Sequence, residues 1–413
     1  MTEANTIRDS SVKKDIADKN YMPALTGVRA IAAYMVCFHH FNPIPSSFKA
    51  EGGWKLLLYG VFNEMYIGVS LFFVLSGFLI CYRYYESGIA LNKQWFGRYL
   101  LSRVARVYPM FFLTTLLAFL FIELNPARYE VYPFGMASRT MAEQVAVVLL
   151  NVTMLKGFFE EYIYTGVSQS WSLTVEECFY VSVPFFMLLV RRSRWALLVL
   201  PAILLLAMVG LVITIGKSGF HGLFTNLEFA LNFTFLGRCV EFFVGMALAL
   251  FVLRQQKRNA EVAGTRRGWF TLAGSLAVIG CLVAMAALAA KENVGFAKDA
   301  FAGIAFNNVL LPFAVAVLFY GLIAERTWVS KVLSTSFFDL LGKSSYVFYL
   351  IHVGVISVLI KVYIIHNSII QFVLLNVLAV LLYKFVESPL HSWFKPKPAA
   401  AARTIAEPSQ ILA

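Results

Sequence analysis

The chain has 413 residues, of which 59% are hydrophobic, 15% aromatic and only 14% charged, against about 25% charged in ordinary soluble proteins. With a mean hydropathy of +0.71, its 35 basic and 23 acidic side chains cannot cover such an interior in water. This excludes a soluble enzyme, a disordered chain and a disulfide-stapled secreted domain. The apolar segments are unbroken runs of helical length rather than alternating strands, which excludes a closed β-barrel. The class is all-α: a polytopic transmembrane helical bundle.

Residues 1–22 are polar and mixed in charge, and read as a disordered cytosolic tail. A membrane domain follows over 23–394, and 395–413 reads as a second disordered tail. Runs able to cross fall near 24–42, 61–82, 107–124, 171–190, 195–216, 234–253, 269–290, 302–324, 343–362 and 369–386, about ten spans. A further run, 143–158, is shorter and carries Glu143, Asn151 and Lys156. If it does not cross, the segments on one side hold 24 Lys plus Arg and those on the other 9. Positive charge prefers the cytoplasmic side. Both termini are therefore expected in the cytoplasm, 83–106 is a cytoplasmic segment, and 143–158 is a re-entrant or interfacial piece. The net charge of +12 is then topology, and no nucleic-acid partner is implied. The five cysteines are scattered through apolar runs and form no metal-ligand spacing, so no metal and no tightly bound cofactor are expected. No internal repeat is visible, which disfavours a transporter built from two halves.

Ionisable groups within spans cost about 2.5–3.5 kcal/mol on insertion scales, so each is a candidate site residue. In the first span Arg29 and His40 are eleven positions apart. Eleven helical steps bring them within about 20° of one face, with about 16 Å between them along the axis. The alternative is an arginine snorkelling inward and a histidine bonding a neighbouring helix. GVSLFFVLSGFLI (68–80) has the small residues of a close helix contact, and includes Ser76. Arg103 and Arg106 stand one turn apart in RVARVYP and, with Lys93 and Arg98, suit phosphates, or simply mark the cytoplasmic side.

The fourth span opens SQSWSLTVEECFY. Trp171 and Ser172 precede two adjacent carboxylates, and Glu176 shares a face with Tyr180. Arg238 and Glu241 are spaced for an intrahelical ion pair, with a site role as the alternative. Ser345, Tyr349 and His352 sit in the ninth span, and a second intramembrane histidine favours a shared polar cavity. Glu387, just before Pro389, reads as a helix end, with Trp393 as interface anchor. His221, His366 and His391 receive no role.

Taken in order, LTGVRAIAAYMVCFHH, GVSLFFVLSGFLI, RVARVYP, WSLTVEECFY, RCVEFFVG, LGKSSYVFYLIH and VESP resemble the acyltransferase-3 family of bacterial integral membrane O-acyltransferases. That family is marked by Arg or Lys, ten residues, then His, met here by Arg29 and His40. Ser70 stands where the family often has an acidic residue. The resemblance covers about 22–394 and is to the stand-alone form, without an appended esterase-like domain.

It implies transfer of an acyl group, most often acetyl, from cytosolic acyl-CoA to a hydroxyl of an extracytoplasmic carbohydrate or glycoconjugate. The setting would be the bacterial inner membrane. On that footing His40 is the expected general base and Glu176 its orienting carboxylate. Arg29, Arg103 and Arg106 hold acyl-CoA. Ser76, Trp171, Ser172, Tyr180, Arg238, Glu241, Ser345, Tyr349 and His352 line a substrate cavity. Ser76 and Ser345 are candidate nucleophiles if the reaction is covalent. The competing class is a transporter or flippase for a lipid-linked or anionic solute, in which the same groups would relay protons.

Overall fold

A computed structural model describes residues 21–86, 92–124, 139–258, 267–365 and 367–396. The two tails, apart from Tyr21, Met22, Lys395 and Pro396, lie outside the described residues, as does His366. Among the described residues there is no strand, only an isolated bridge between Phe159 and Leu223.

The principal helices are α1 (Pro23–His40), α2 (Gly68–Tyr84), α3 (Lys93–Leu124), α4 (Trp171–Arg192), α5 (Ala196–Thr214), α6 (Phe235–Arg258), α7 (Trp269–Glu292), α8 (Leu311–Ala324), α9 (Ser336–Ile351) and α10 (Ser368–Leu382). Among the described residues, eight helical stretches are long and apolar enough to cross a membrane, and α9 with its continuation Val355–Ile364 makes a ninth, bent by 81°. The tenth expected span, α1, is an 18-residue helix packed in the same bundle against α2 and α9. Arg29, His39 and His40 make it too polar to be recognised by apolarity alone. The piece at 143–158 is a helix of 12 residues, Met141–Val152, followed by a short 3₁₀ turn. That is too short to span.

Two expected boundaries change. The third span does not begin after 83–106: α3 starts at Lys93 and runs for 32 residues, so Arg103 and Arg106 lie on a helix continuous with that span. Nor is Glu387 a terminator. The chain passes from α10 through a π-turn, Tyr383–Glu387, into Ser388–Phe394, whose first turn accommodates Pro389.

Small residues let α2 and α6 approach closely. A Cβ on Gly77 of α2 would stand 2.2 Å from the Phe242 carbonyl oxygen, and one on Gly245 of α6 2.1 Å from that of Val74. The two backbones therefore meet at reciprocal glycines, as the GVSLFFVLSGFLI run leads one to expect.

The two ends of the bundle differ in charge. At one end Lys257 pairs with Glu86 at 2.8 Å, Arg191 and Arg194 lie over the Tyr85 ring, and Arg103 reaches Tyr84. This is the basic end. At the other, Asn63 donates to the Gly295 carbonyl and Ala297 N donates to buried Glu64. Gln169, ahead of α4, donates to the Tyr349 and Leu350 carbonyls at 2.8 and 2.9 Å. These bonds satisfy carbonyls released where α9 breaks at His352–Gly354, with Gly354 at φ +98°.

Candidate active site

A cavity of about 420 Å³ extends into the bundle from the basic end. Of the residues singled out from sequence, Arg29, Ser76, Arg103, Arg106, Ser172, Glu176, Tyr180 and Tyr349 line it. They come from α1, α2, α3, α4 and α9, so only the assembled bundle makes the site. Ser76 donates to Glu176. Of the paired carboxylates, Glu176 is the one in the cavity wall. Arg103 donates through Nη2 to the Tyr84 hydroxyl at 3.2 Å, and its guanidinium lies 5.7–5.9 Å from the rings of Tyr84, Tyr99 and Tyr180. Its Nε is buried without a partner.

Several cavity residues were passed over in sequence. Glu387, taken for a helix end, is 8% exposed, with Oε2 buried and unpartnered. It lies within electrostatic reach of Arg106 and Arg29. Lys343 and His391 also line the wall. A polar residue beside a span-ending proline was the available signal for Glu387. For His391, given no role, there was none.

His40 is not among the residues lining this cavity. It stands exposed at the far end of α1, in a cluster of imidazoles. Its ring is 4.9 Å from that of His39 and 5.2 Å from that of His352, nearly perpendicular to both. His40 Nδ1 lies 2.8 Å from the Val36 carbonyl oxygen. A carbonyl only accepts, so Nδ1 carries the proton and Nε2 keeps its lone pair when the ring is neutral. The same pattern fixes His352, whose Nδ1 is 2.8 Å from the Tyr349 carbonyl oxygen. His352 is fully buried and its Nε2 has no partner.

Tyr349 joins the two compartments. It lines the cavity, its ring lies 6.0 Å from Phe72 and 5.7 Å from His352, and its hydroxyl is 2.7 Å from Ser172 Oγ. The hydroxyl also donates to the Gln169 carbonyl at 3.0 Å. Arg29 and His40 therefore do not look into one open passage: Tyr349 and His352 lie between. The orienting carboxylate expected for His40 is likewise replaced. Glu176 accepts from Ser76, and a backbone carbonyl holds the imidazole.

Four other residues stand away from the cavity. Arg238 donates to Glu241 through Nε and Nη2, both at 2.8 Å, and both residues are buried. Nη2 also reaches Ser70 at 3.0 Å, and Ser70 donates to Asn307 at 3.1 Å. Asn307 and Asn308 sit in a π-turn, Phe306–Leu310, ahead of α8. This is the ion-pair reading of Arg238 and Glu241, as a closed network tying α6 to α2 and α8. Ser70 fits it because Glu241 already balances the arginine. Ser345 donates to its own helix at Gly342, and the Trp171 ring packs edge-on to Phe233 at 5.0 Å.

Comparison with known proteins decides the class. The family described as "Acyltransferase domain" matches residues 22–383. The chain belongs to the acyltransferase-3 family. It is 24% identical over 382 residues to a Staphylococcus aureus protein named "Putative O-acetyltransferase", covering 89% of this chain and 57% of that one. It is 24% identical over 393 residues to the peptidoglycan O-acetyltransferase OatA of Listeria monocytogenes, covering 90% of this chain and 56% of OatA. The chain thus spans a little over half the length of these relatives. No solved structure matches it. Family and apolar helices together make it a multi-pass membrane member of the acyltransferase-3 family.

Proposed function

We propose that this protein moves an acyl group, acetyl by preference, from cytosolic acyl-CoA to a hydroxyl of an extracytoplasmic carbohydrate or glycoconjugate. The reading places the basic end and both termini in the cytoplasm of a bacterial inner membrane. One observation carries it above the rest: a cavity lined by arginines also has Tyr349 in its wall, and Tyr349 touches the imidazole cluster of the opposite end.

Arg103 and Arg106 receive the donor's phosphates, since guanidinium forks match them bidentately. Arg29, deeper in the same wall, guides the thioester arm. The acceptor approaches exposed His40 from the other side, against the membrane lipid boundary. Neutral His40 accepts the hydroxyl proton at Nε2 while the oxygen attacks the thioester carbonyl. The tetrahedral adduct collapses, the carbon–sulfur bond breaks, and the thiolate leaves with the proton His40 took up. Glu176, bonded to Ser76 beside Arg29, shapes the donor cavity. Tyr349 must move aside for the thioester to meet the imidazole. A covalent route through Ser76 or Ser345 is not needed for direct attack.

The test is thiol release from acetyl-CoA by the purified protein in vesicles. Acceptor-dependent release with acetylated acceptor is expected. Acceptor movement without thiol release would replace the enzyme with a transporter.

A further inference from the structure

Beside the donor cavity lies a second, of about 330 Å³, lined by Tyr84, Asn92, Gln94, Trp95, Arg98 and Tyr99 among others. Both cavities share Tyr84 as a wall. The rings are ordered. Trp95 and Tyr99, one turn apart on α3, are parallel within 1° at 5.4 Å between centroids. Tyr84 meets each of them edge-on, at 6.1 and 5.3 Å. Asn92 Oδ1 caps α3 by accepting from Trp95 N at 2.7 Å.

A second observation points to a ligand. Tyr99 is 3% exposed and lines this cavity, and its hydroxyl is buried with no hydrogen-bond partner. A buried hydroxyl left unpaired is costly, and native structures pair the great majority. Arg103, in the wall of the first cavity and donating to the shared Tyr84, also has its Nε buried and unpartnered. The Arg103 guanidinium lies against Tyr84 and Tyr99 on one side and Tyr180 on the other. An anion bound there sits between the two cavities.

That order matches one ligand architecture: a flat heteroaromatic base, phosphates in the middle, and a thin acyl-bearing arm. We propose that the second cavity holds the purine of the acyl donor. The base lies against Trp95, Tyr99 offers its hydroxyl to a ring nitrogen or the exocyclic amine, and Arg98 stands at the rim for a ribose phosphate. Aromatic faces carry the stacking, and the single hydroxyl carries the discrimination among bases. This rests on the acyl-CoA reading above and extends it from the phosphates to the nucleoside.

The experiment uses the full chain in nanodiscs with two donors, acetyl-CoA and acetyl-phosphopantetheine, which lacks the nucleoside. Tyr99→Phe keeps the ring and removes only the hydroxyl. It is expected to raise KM for acetyl-CoA about fivefold, the worth of one hydrogen bond, leaving kcat unchanged. KM for acetyl-phosphopantetheine should stay the same. Trp95→Leu should act in the same donor-selective way. Equal KM shifts with both donors, or none with either, would overturn the assignment. Direct binding of 3′-phosphoadenosine 5′-diphosphate judges it without turnover, and Tyr99→Phe should weaken that binding by the same factor. If the wild-type protein turns over neither donor, the acyl-CoA reading fails. If it turns both over but does not bind the nucleotide, only the purine site fails.

Discussion

The sharpest prediction concerns His40. Replacing it with Ala removes the imidazole whose Nδ1 is 2.8 Å from the Val36 carbonyl. That carbonyl belongs to α1, so the lost bond is a second one to a helix acceptor, beside an exposed side chain. Its loss should cost folding no more than about 1 kcal/mol. Loss of a positioned general base costs about 10²–10⁴ in rate, or about 3–5 kcal/mol of transition-state stabilisation. The two effects therefore separate. Acceptor acetylation should fall by at least a hundredfold while the melting temperature in detergent moves by a few degrees at most. Glu176→Gln sharpens the assay. Were Glu176 the orienting partner, it would shift the acid limb of the pH–rate profile. Because Glu176 bonds Ser76, the limb should stay put while KM for the donor changes. His40→Ala activity within about threefold of wild type would refute the base assignment.

Further outcomes follow from the cavity and the buried network. Arg106→Met, at an exposed cavity position, should raise KM for acetyl-CoA about tenfold, the worth of one charge-assisted phosphate contact, with kcat held; an unchanged KM would remove Arg106 from the donor site. Glu387→Gln withdraws a negative charge from beside Arg106 and Arg29. Donor KM should fall severalfold, by about 1 kcal/mol of Coulomb energy, and a rise would mean that the carboxylate contacts the donor favourably. Glu241→Leu should destabilise the fold by about 3–5 kcal/mol by stranding buried Arg238, with much of that recovered in the Arg238→Met/Glu241→Leu double variant. A double variant no more stable than the single, in thermal melts, would show that these residues are not one closed pair.

The bundle was legible because apolar length is the strongest signal a membrane helix carries. The misread stretches are those where charge interrupts that signal for a local reason. Residues 83–106 read as lying ahead of the third span because five of them are basic, yet Arg83, Arg98, Arg103 and Arg106 line cavities and the helix already runs from Lys93. At Glu387, Pro389 resembles a stop, but a proline in the first turn of the next segment loses no hydrogen bond. Arg29, Glu176 and Tyr349 were found because polar groups in an apolar helix demand a reason. Tyr84 and Tyr99 gave no such signal, since aromatic residues make up 15% of the chain and only packing distinguishes two of them. The helical repeat placed Arg29 and His40 on one face, but a repeat cannot say what stands between two residues of that face. Tyr349 comes from another helix.

That interposition bears on how transfer across a membrane stays coupled. A single open passage between a cationic donor cavity and an exposed histidine would let water reach the thioester. Tyr349 instead stands in the cavity wall and against His352, held through its hydroxyl by Ser172 and Gln169. Gln169 also caps the broken end of α9 through the Tyr349 and Leu350 carbonyls. The tyrosine, the chain break and the His352 ring are thus one mechanical unit, resting against His40 at 5.2 Å. The break at Gly354 lets Val355–Ile364 turn away by 81°. An acceptor pressing on His40 from one side, or an acyl arm pressing on Tyr349 from the other, acts on the same few residues. On the proposed reaction each substrate would then change the energy of admitting the other, so that thioester and hydroxyl meet only when both are bound.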